Sequence, residues 1–148
     1  MNVFIFSFNF NPVSVKAADQ KIAQLNSELS TQKIIQKHCD SYRLCRKVIE
    51  DCKSAKDPKS YRTKHQAEYH LHDSLKKELQ NLGVTKIPSS DKIKKRIENL
   101  ESEQTASVRE KQGLQEKQKL LNTIQQNFNV LLDAPEMQPP LSEKENTL

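Results

Sequence analysis

The sequence predicts an all-α protein: a long helical hairpin, or a three-helix coiled-coil-like arrangement, with disordered ends. Three observations predict it. The first is composition. Of 148 residues only 2 are Gly and none is Trp, while 29% are charged and 34% hydrophobic. That make-up suits long helices and leaves too little apolar material for a thick core. The second is periodicity. Ile93, Leu100, Ser107, Leu114, Leu121 and Phe128 recur every seven residues, the mark of one face of a long helix that packs on another. The third is punctuation. Asp57-Pro58, Gly83 and Ser89 or Ser90 stand where helices should start and stop.

Taken in order, the chain divides into a leader (1–16), a helical domain (17–132) and a tail (133–148). Met1–Val15 is uncharged and rich in Phe and Asn. It lacks the basic start and clean apolar run of a signal peptide. A short strand-like or disordered leader fits better, as does a start in an unrelated frame of a truncated gene. The first helix is expected over about 19–54, with Asp19 as a candidate cap. Its seam begins Ile22, Leu25, Leu29 and resumes as Ile35, His38, Tyr42, Cys45, Ile49, Cys52. The two runs are out of phase, which predicts a break or a change of partner near Ser30-Thr31.

The second helix is expected over about 58–82. Asp57 is its N-cap and Pro58 its first helical residue, with Gly83 in the C′ position. The third, over about 90–132, opens at Ser89 or Ser90, with Asp91 favourably placed at the positive end of the helix dipole. Its packing seam is Ile93, Ile97, Leu100, Leu114, Leu121 and Phe128. The interleaved Gln104, Lys111, Gln118 and Gln125 thin that seam in the middle. The acidic tail, with Pro135, Pro139 and Pro140, reads as disordered. In the simplest architecture the first and third helices run antiparallel, with the second packed to one side.

The residues that could carry chemistry are few. His70-Leu71-His72 imitates a metal-binding element that needs a strand, where residues two apart face alike; on a helix they diverge. His65, Glu68 and His72 do share a helix face, which reads as a polar layer in a helical interface rather than a metal site. Cys39, Cys45 and Cys52 lack zinc-ligand spacing and lie too far apart on a helix for a disulfide between neighbours. An odd cysteine count fits a reducing, cytoplasmic setting. Two glycines in the whole chain leave no phosphate-binding loop. No catalytic residue, metal or cofactor is expected, and no run is apolar enough to cross a membrane.

Charge gives the best lead. The formal net charge is +5, and the acidic tail makes the helical body more basic still. Basic residues gather around the first inter-helix turn (Arg43, Arg46, Lys47, Lys53, Arg62, Lys64) and near the start of the last helix (Lys92, Lys94, Lys95, Arg96). Such clusters can hold phosphates without reading sequence. The plainer reading is a solvated helical surface with interspersed charge.

One further pattern is Tyr61, Lys64-His65, Glu68, Leu71, Leu75 and Leu79. A linker Ile87-Pro88-Ser89 follows, then a long Lys/Glu/Gln helix ending Asn127-Phe128-Asn129-Val130-Leu131-Leu132. From Lys21 to Pro135 this order and spacing resembles the C-terminal helical region of relaxases, the mobilisation nucleases of Gram-positive conjugative and mobilisable elements. In that family an I-P-S linker commonly precedes the last helix, which closes on an N-V-D-x-x-L string. Leu131 stands here where the acid would follow the valine. The resemblance implies a non-catalytic helical piece of a DNA-transfer protein. Its partners would be DNA backbone and other conjugation-complex proteins. The family's nuclease domain lies N-terminal to this region, so none of its catalytic residues has a counterpart here. The alternative is a structural coiled-coil module for protein–protein contact or self-association.

Overall fold

A computed structural model describes residues 12–134, with side chains from Val15 onward. Four helices account for it: α1 (Pro12–Lys53), α2 (Pro58–Lys64), α3 (Gln66–Asn81) and α4 (Ser90–Asp133). No strand occurs among the described residues. The all-α expectation holds. Residues 1–11 of the expected leader (1–16) and most of the acidic tail lie outside the described residues.

α1 is the spine. Its 42 residues span about 63 Å at 1.5 Å per residue. It runs unbroken through Ser30 and Thr31. Their hydroxyls fold back onto their own helix, donating to the carbonyls of Asn26 (2.9 Å) and Ser27 (3.0 Å) rather than capping a new one. The out-of-phase seams therefore mark a change of partner, not a break. Leu25 and Leu29 join the cluster containing Ile93, Ile97 and Leu100 of α4. Cys52, further along, donates to the Pro58 carbonyl (3.5 Å). Two boundaries are corrected. α1 already includes Pro12–Lys16, so the leader ends earlier than expected, and proline is tolerated in a first turn. Asp19 is not a cap; it lies within α1, with its carboxylate 2.5 Å from Lys111.

The helix expected over 58–82 is two helices. Asp57 caps α2 as expected, accepting from the N–H groups of Lys59 (3.1 Å) and Ser60 (3.2 Å). The chain then leaves helical geometry at His65 (φ −109, ψ 27). The His65 N–H closes α2 on Tyr61 O (3.1 Å), and its carbonyl receives the Glu68 (3.1 Å) and Tyr69 (3.3 Å) N–H groups to open α3. The His65 ring lies against Tyr61, centroids 4.3 Å apart, and its Nδ1 is 3.2 Å from the Glu68 carboxylate. Both sides of the kink are thus held.

α3 ends in a Schellman motif. Val84 N–H bonds Leu79 O and Gly83 N–H bonds Gln80 O, both at 2.9 Å. Gly83 sits at φ +80, and no atom lies within 4 Å of where a Cβ would stand. Gly83→Ala should therefore cost about 1 kcal/mol through backbone conformation alone, measurable as a lowered urea midpoint with unchanged slope. Ser89 caps α4 by accepting from Lys92 N–H (3.3 Å).

α3 and α4 do not approach each other in the backbone; each packs on α1. The pairings His38–Glu78 and Tyr42–His72 place α3 along the C-terminal half of α1. Lys33–Glu101, Arg96–Glu28, Gln104–Asn26 and Lys111–Asp19 place α4 antiparallel along the N-terminal half. The second helix is therefore not laid beside the first–third pair along its length. α3 and α4 follow one another down the same spine. The core sits where they meet: Leu25, Leu29, Ile35 and Cys39 of α1, Leu79 of α3, and Ile93, Ile97 and Leu100 of α4, edged by Tyr42, Val84 and Ile87. The expected α4 seam holds at Ile93, Ile97 and Leu100, thins to half-buried Leu114 and Leu121, and fails at Phe128, which is 48% exposed. The reason is geometric: the described α1 no longer lies opposite it.

Candidate nucleic-acid interface

The basic residues fall on the C-terminal part of α1, on the turn and α2 that follow it, and on the first two turns of α4. Sequence places eight of them between Arg43 and Lys64 against only Glu50, Asp51 and Asp57. One contact joins the two groups at their near ends. Arg43 of α1 donates to the carbonyl of Pro88, four residues before Lys92. The linker and the first turn of α4 are thereby tied to the basic stretch of α1.

Arginines and lysines play different parts. All four arginines of the candidate set are engaged. Arg43 also pairs with Asp40 (2.9 Å), Arg46 pairs with Glu50 (3.0 Å), Arg96 with Glu28, and Arg62 lies over the Tyr69 ring, 5.0 Å from its centroid. A guanidinium's planar fork suits such tethering. Lys47, Lys53, Lys64, Lys92, Lys94 and Lys95 are exposed and pair with no carboxylate among the described residues. The sequence grouped the two residue types together; only the structure separates bound from available charge. The available set is flexible, hydrated ammonium groups, suited to phosphate contact without base readout.

The polar layer expected of His65, Glu68 and His72 is present in part. His65 meets Glu68. His72 turns instead to stack on Tyr42 of α1 (centroids 4.6 Å, 24° between planes), with Nδ1 3.2 Å from Asp73. His38 of α1 reaches Glu78 of α3 at 3.3 Å. Glu68 holds its proton less tightly than usual, chiefly because its carboxylate accepts from its own backbone N–H and then from His65. No group of three potential ligands suited to a metal occurs among the described residues. The Tyr42–His72 stack was not foreseen. Its signal was available: Tyr42 and His72 each lie on an apolar-periodic face of its own helix.

All three cysteines are free and buried. Cys39, fully enclosed, was missed as a seam residue in favour of its neighbour His38. Burial pushes its thiol up, Arg43 pulls it partly back, and Asp40 adds to the rise. Burial likewise raises Cys45, with Glu68 adding to it. Because the thiolate is the reactive form, Cys39 should be the slowest of the three toward a disulfide reagent at mildly alkaline pH. Its rate in the folded chain should fall about a hundredfold or more below that in urea, tracking opening of the core. Mass spectrometry of a labelling time course reads this directly.

Together these features define an elongated, antiparallel helical spine-and-strut protein with a lysine-rich half. No protein-family model, no curated protein and no solved structure matches the chain. No helix of the described residues is long and apolar enough to cross a membrane.

Proposed function

We propose that the chain is a non-catalytic helical module that binds the sugar–phosphate backbone of nucleic acid, in the DNA-transfer setting that the likeness to relaxase C-terminal regions implies. The observation that carries the reading is the Arg43–Pro88 bond. It ties the start of α4, which carries the unpaired Lys92, Lys94 and Lys95, to Arg43 at the near edge of the basic stretch of α1, so that two clusters distant in sequence adjoin end to end. The N-terminus of α4 adds its own positive dipole end to the same place. Nothing in the arrangement reads base edges, so affinity should be general and strongly salt-dependent.

The test is fluorescence anisotropy with labelled duplex and single-stranded DNA across a salt series. Binding should weaken steeply between about 50 and 200 mM salt. The triple variant Lys92→Glu/Lys94→Glu/Lys95→Glu should lose at least about tenfold in affinity and show a shallower salt slope. Arg46→Ala, which removes a paired arginine, should change affinity far less. Absence of binding to either form at the lowest salt would remove the nucleic-acid reading. The purified chain should not nick supercoiled DNA with Mg²⁺.

A second reading is favoured by a different observation. The end of α4 exposes Leu120, Ile124, Phe128, Val130, Leu131 and Leu132. A protein-contact or self-association module in a cytoplasmic assembly would use such a surface.

A further inference from the structure

The apolar face at the end of α4 does not simply continue the one that meets α1. Ser107, Lys111, Leu114, Gln118 and Leu121 are buried or half-buried, at alternating gaps of four and three. Continued, that spacing gives Gln125, Phe128 and Leu132, with an amide in the line. The apolar side chains run instead Leu121, Ile124, Phe128 and Leu131. Two gaps of three meet at Leu121, and such a shift of phase turns a helix face toward a different partner. Among the described residues α4 packs on α1 alone, and the new face is open: Ile124 is 44% and Leu131 74% exposed.

The gaps of the new face, three, four and three, read the same in both directions. We infer that it pairs with the same face of a second copy, the two arms antiparallel about a two-fold axis midway between Ile124 and Phe128. That pairing sets Leu121 against the second copy's Leu131 and Ile124 against its Phe128. Symmetry repeats both contacts, so four successive layers are apolar. The flanks are self-complementary as well. Gln125 faces its own copy on one side of the axis and Asn127 on the other. An amide carries both donor and acceptor and can pair with its own kind, whereas a charge there would repel its symmetry mate. From Leu120 to Leu132 there is no charged side chain, in a chain that is 29% charged. Lys117, one seam position before Leu121, bounds the contact at one end, and α4 stops at Asp133 at the other. About 40 Å of helix separates Lys95 from Leu121, several Debye lengths at ordinary salt, and antiparallel arms carry the two lysine-rich starts of α4 away from each other. About three turns of helix fall short of the roughly 800 Å² per partner of a stable interface, so the pairing is weak and concentration-dependent. The inference rests on the protein-contact reading of this surface and is independent of the nucleic-acid one, since none of the six free lysines takes part.

The test is sedimentation equilibrium of the full chain from low micromolar to near-millimolar concentration. The mass should be that of a monomer at the bottom of the range, rise toward a dimer, and go no further. Ile124→Asp/Leu131→Asp should stay monomeric throughout while far-UV circular dichroism stays helical. Leu44→Asp, at an exposed leucine of α1, should dimerise like the unaltered chain. Gln125→Lys and Gln125→Glu test the two-fold: each alone should pair several-fold more weakly, and an equimolar mixture should recover. A chain that is monomeric at every concentration overturns the inference. So does dimerisation that survives the double aspartate variant, or that fails to recover on mixing. Binding of the dye anilinonaphthalene sulfonate separates this from the broader reading. A persistent monomer that binds dye, and loses it in the double aspartate variant, leaves the surface open to a different protein. A persistent monomer without such binding has the arm covered by its own chain, and the protein-contact reading fails too.

Discussion

Leu79→Ala and Leu100→Ala should each lower the free energy of unfolding by about 3 kcal/mol. Each side chain is 1% exposed, and with Cys39 they are the most enclosed in the molecule. The cost combines lost transfer energy with the void left behind, because a packed interior collapses only in part. The size of the effect matters here because the core is small. It holds eight buried side chains, and a protein's net stability is ordinarily only about 5–15 kcal/mol. The two variants should also differ. Leu79 is the one α3 residue in that cluster, so its loss should free α3 and raise hydrogen exchange there first. Leu100 holds α4 to α1, and its loss should loosen the hairpin as a whole. Leu44→Ala, on an exposed part of α1 (69%), should change stability by less than about 0.5 kcal/mol. Urea unfolding followed by circular dichroism ranks the three. Equal effects from Leu100 and Leu44 would contradict the core described.

Much of this fold was legible because local chemistry and packing agree. Asp57-Pro58 and Gly83 work as their residue types require. The α4 heptad is correct where α1 faces it, from Ile93 to Ser107. What was not legible depended on partners. The phase shift between Leu29 and Ile35 looks the same in sequence whether a helix breaks or hands its face from one neighbour to the next. Here Ile35 and Cys39 sit where α3 and α4 both reach α1, so the helix continues. The split at His65 was hidden because Tyr61, His65 and Glu68 also fit one continuous helical face. The backbone leaves helical geometry at His65 alone (φ −109, ψ 27), while the Tyr61–His65 and His65–Glu68 contacts keep the spacing of an unbroken helix, so no period reveals it.

The candidate interface was legible as charge but not as availability. Arg43 and Arg96 look no different from Lys47 and Lys95 along the chain. Their engagement with Pro88 O and Glu28 depends on residues 45 and 68 positions away. The exposed Arg96–Glu28 pair contributes little to stability, but such engagements remove charge from the surface a phosphate would meet. Lysines with no such partner therefore carry the electrostatic case.

Ser107→Ala should raise stability by about 1 kcal/mol, against the usual direction of mutation in an interior. Ser107 occupies a seam position of α4 and is 2% exposed. Its hydroxyl has no hydrogen-bond partner, although Thr105, two residues earlier, back-bonds to Glu101 O at 2.9 Å. An enclosed hydroxyl left without a partner keeps its desolvation cost with no compensating bond. Alanine removes that cost, opens little space, and adds a few tenths of a kcal/mol in helix propensity. The layer lies between Gln104–Asn26 and Lys111–Asp19, which hold the register on either side, so the substitution should not shift α4 along α1. Thermal unfolding of the variant should show a higher midpoint with the same cooperativity. A lower midpoint would mean that the hydroxyl has a partner in solution, such as a bridging water, and that the polar residue specifies the pairing of the two long helices.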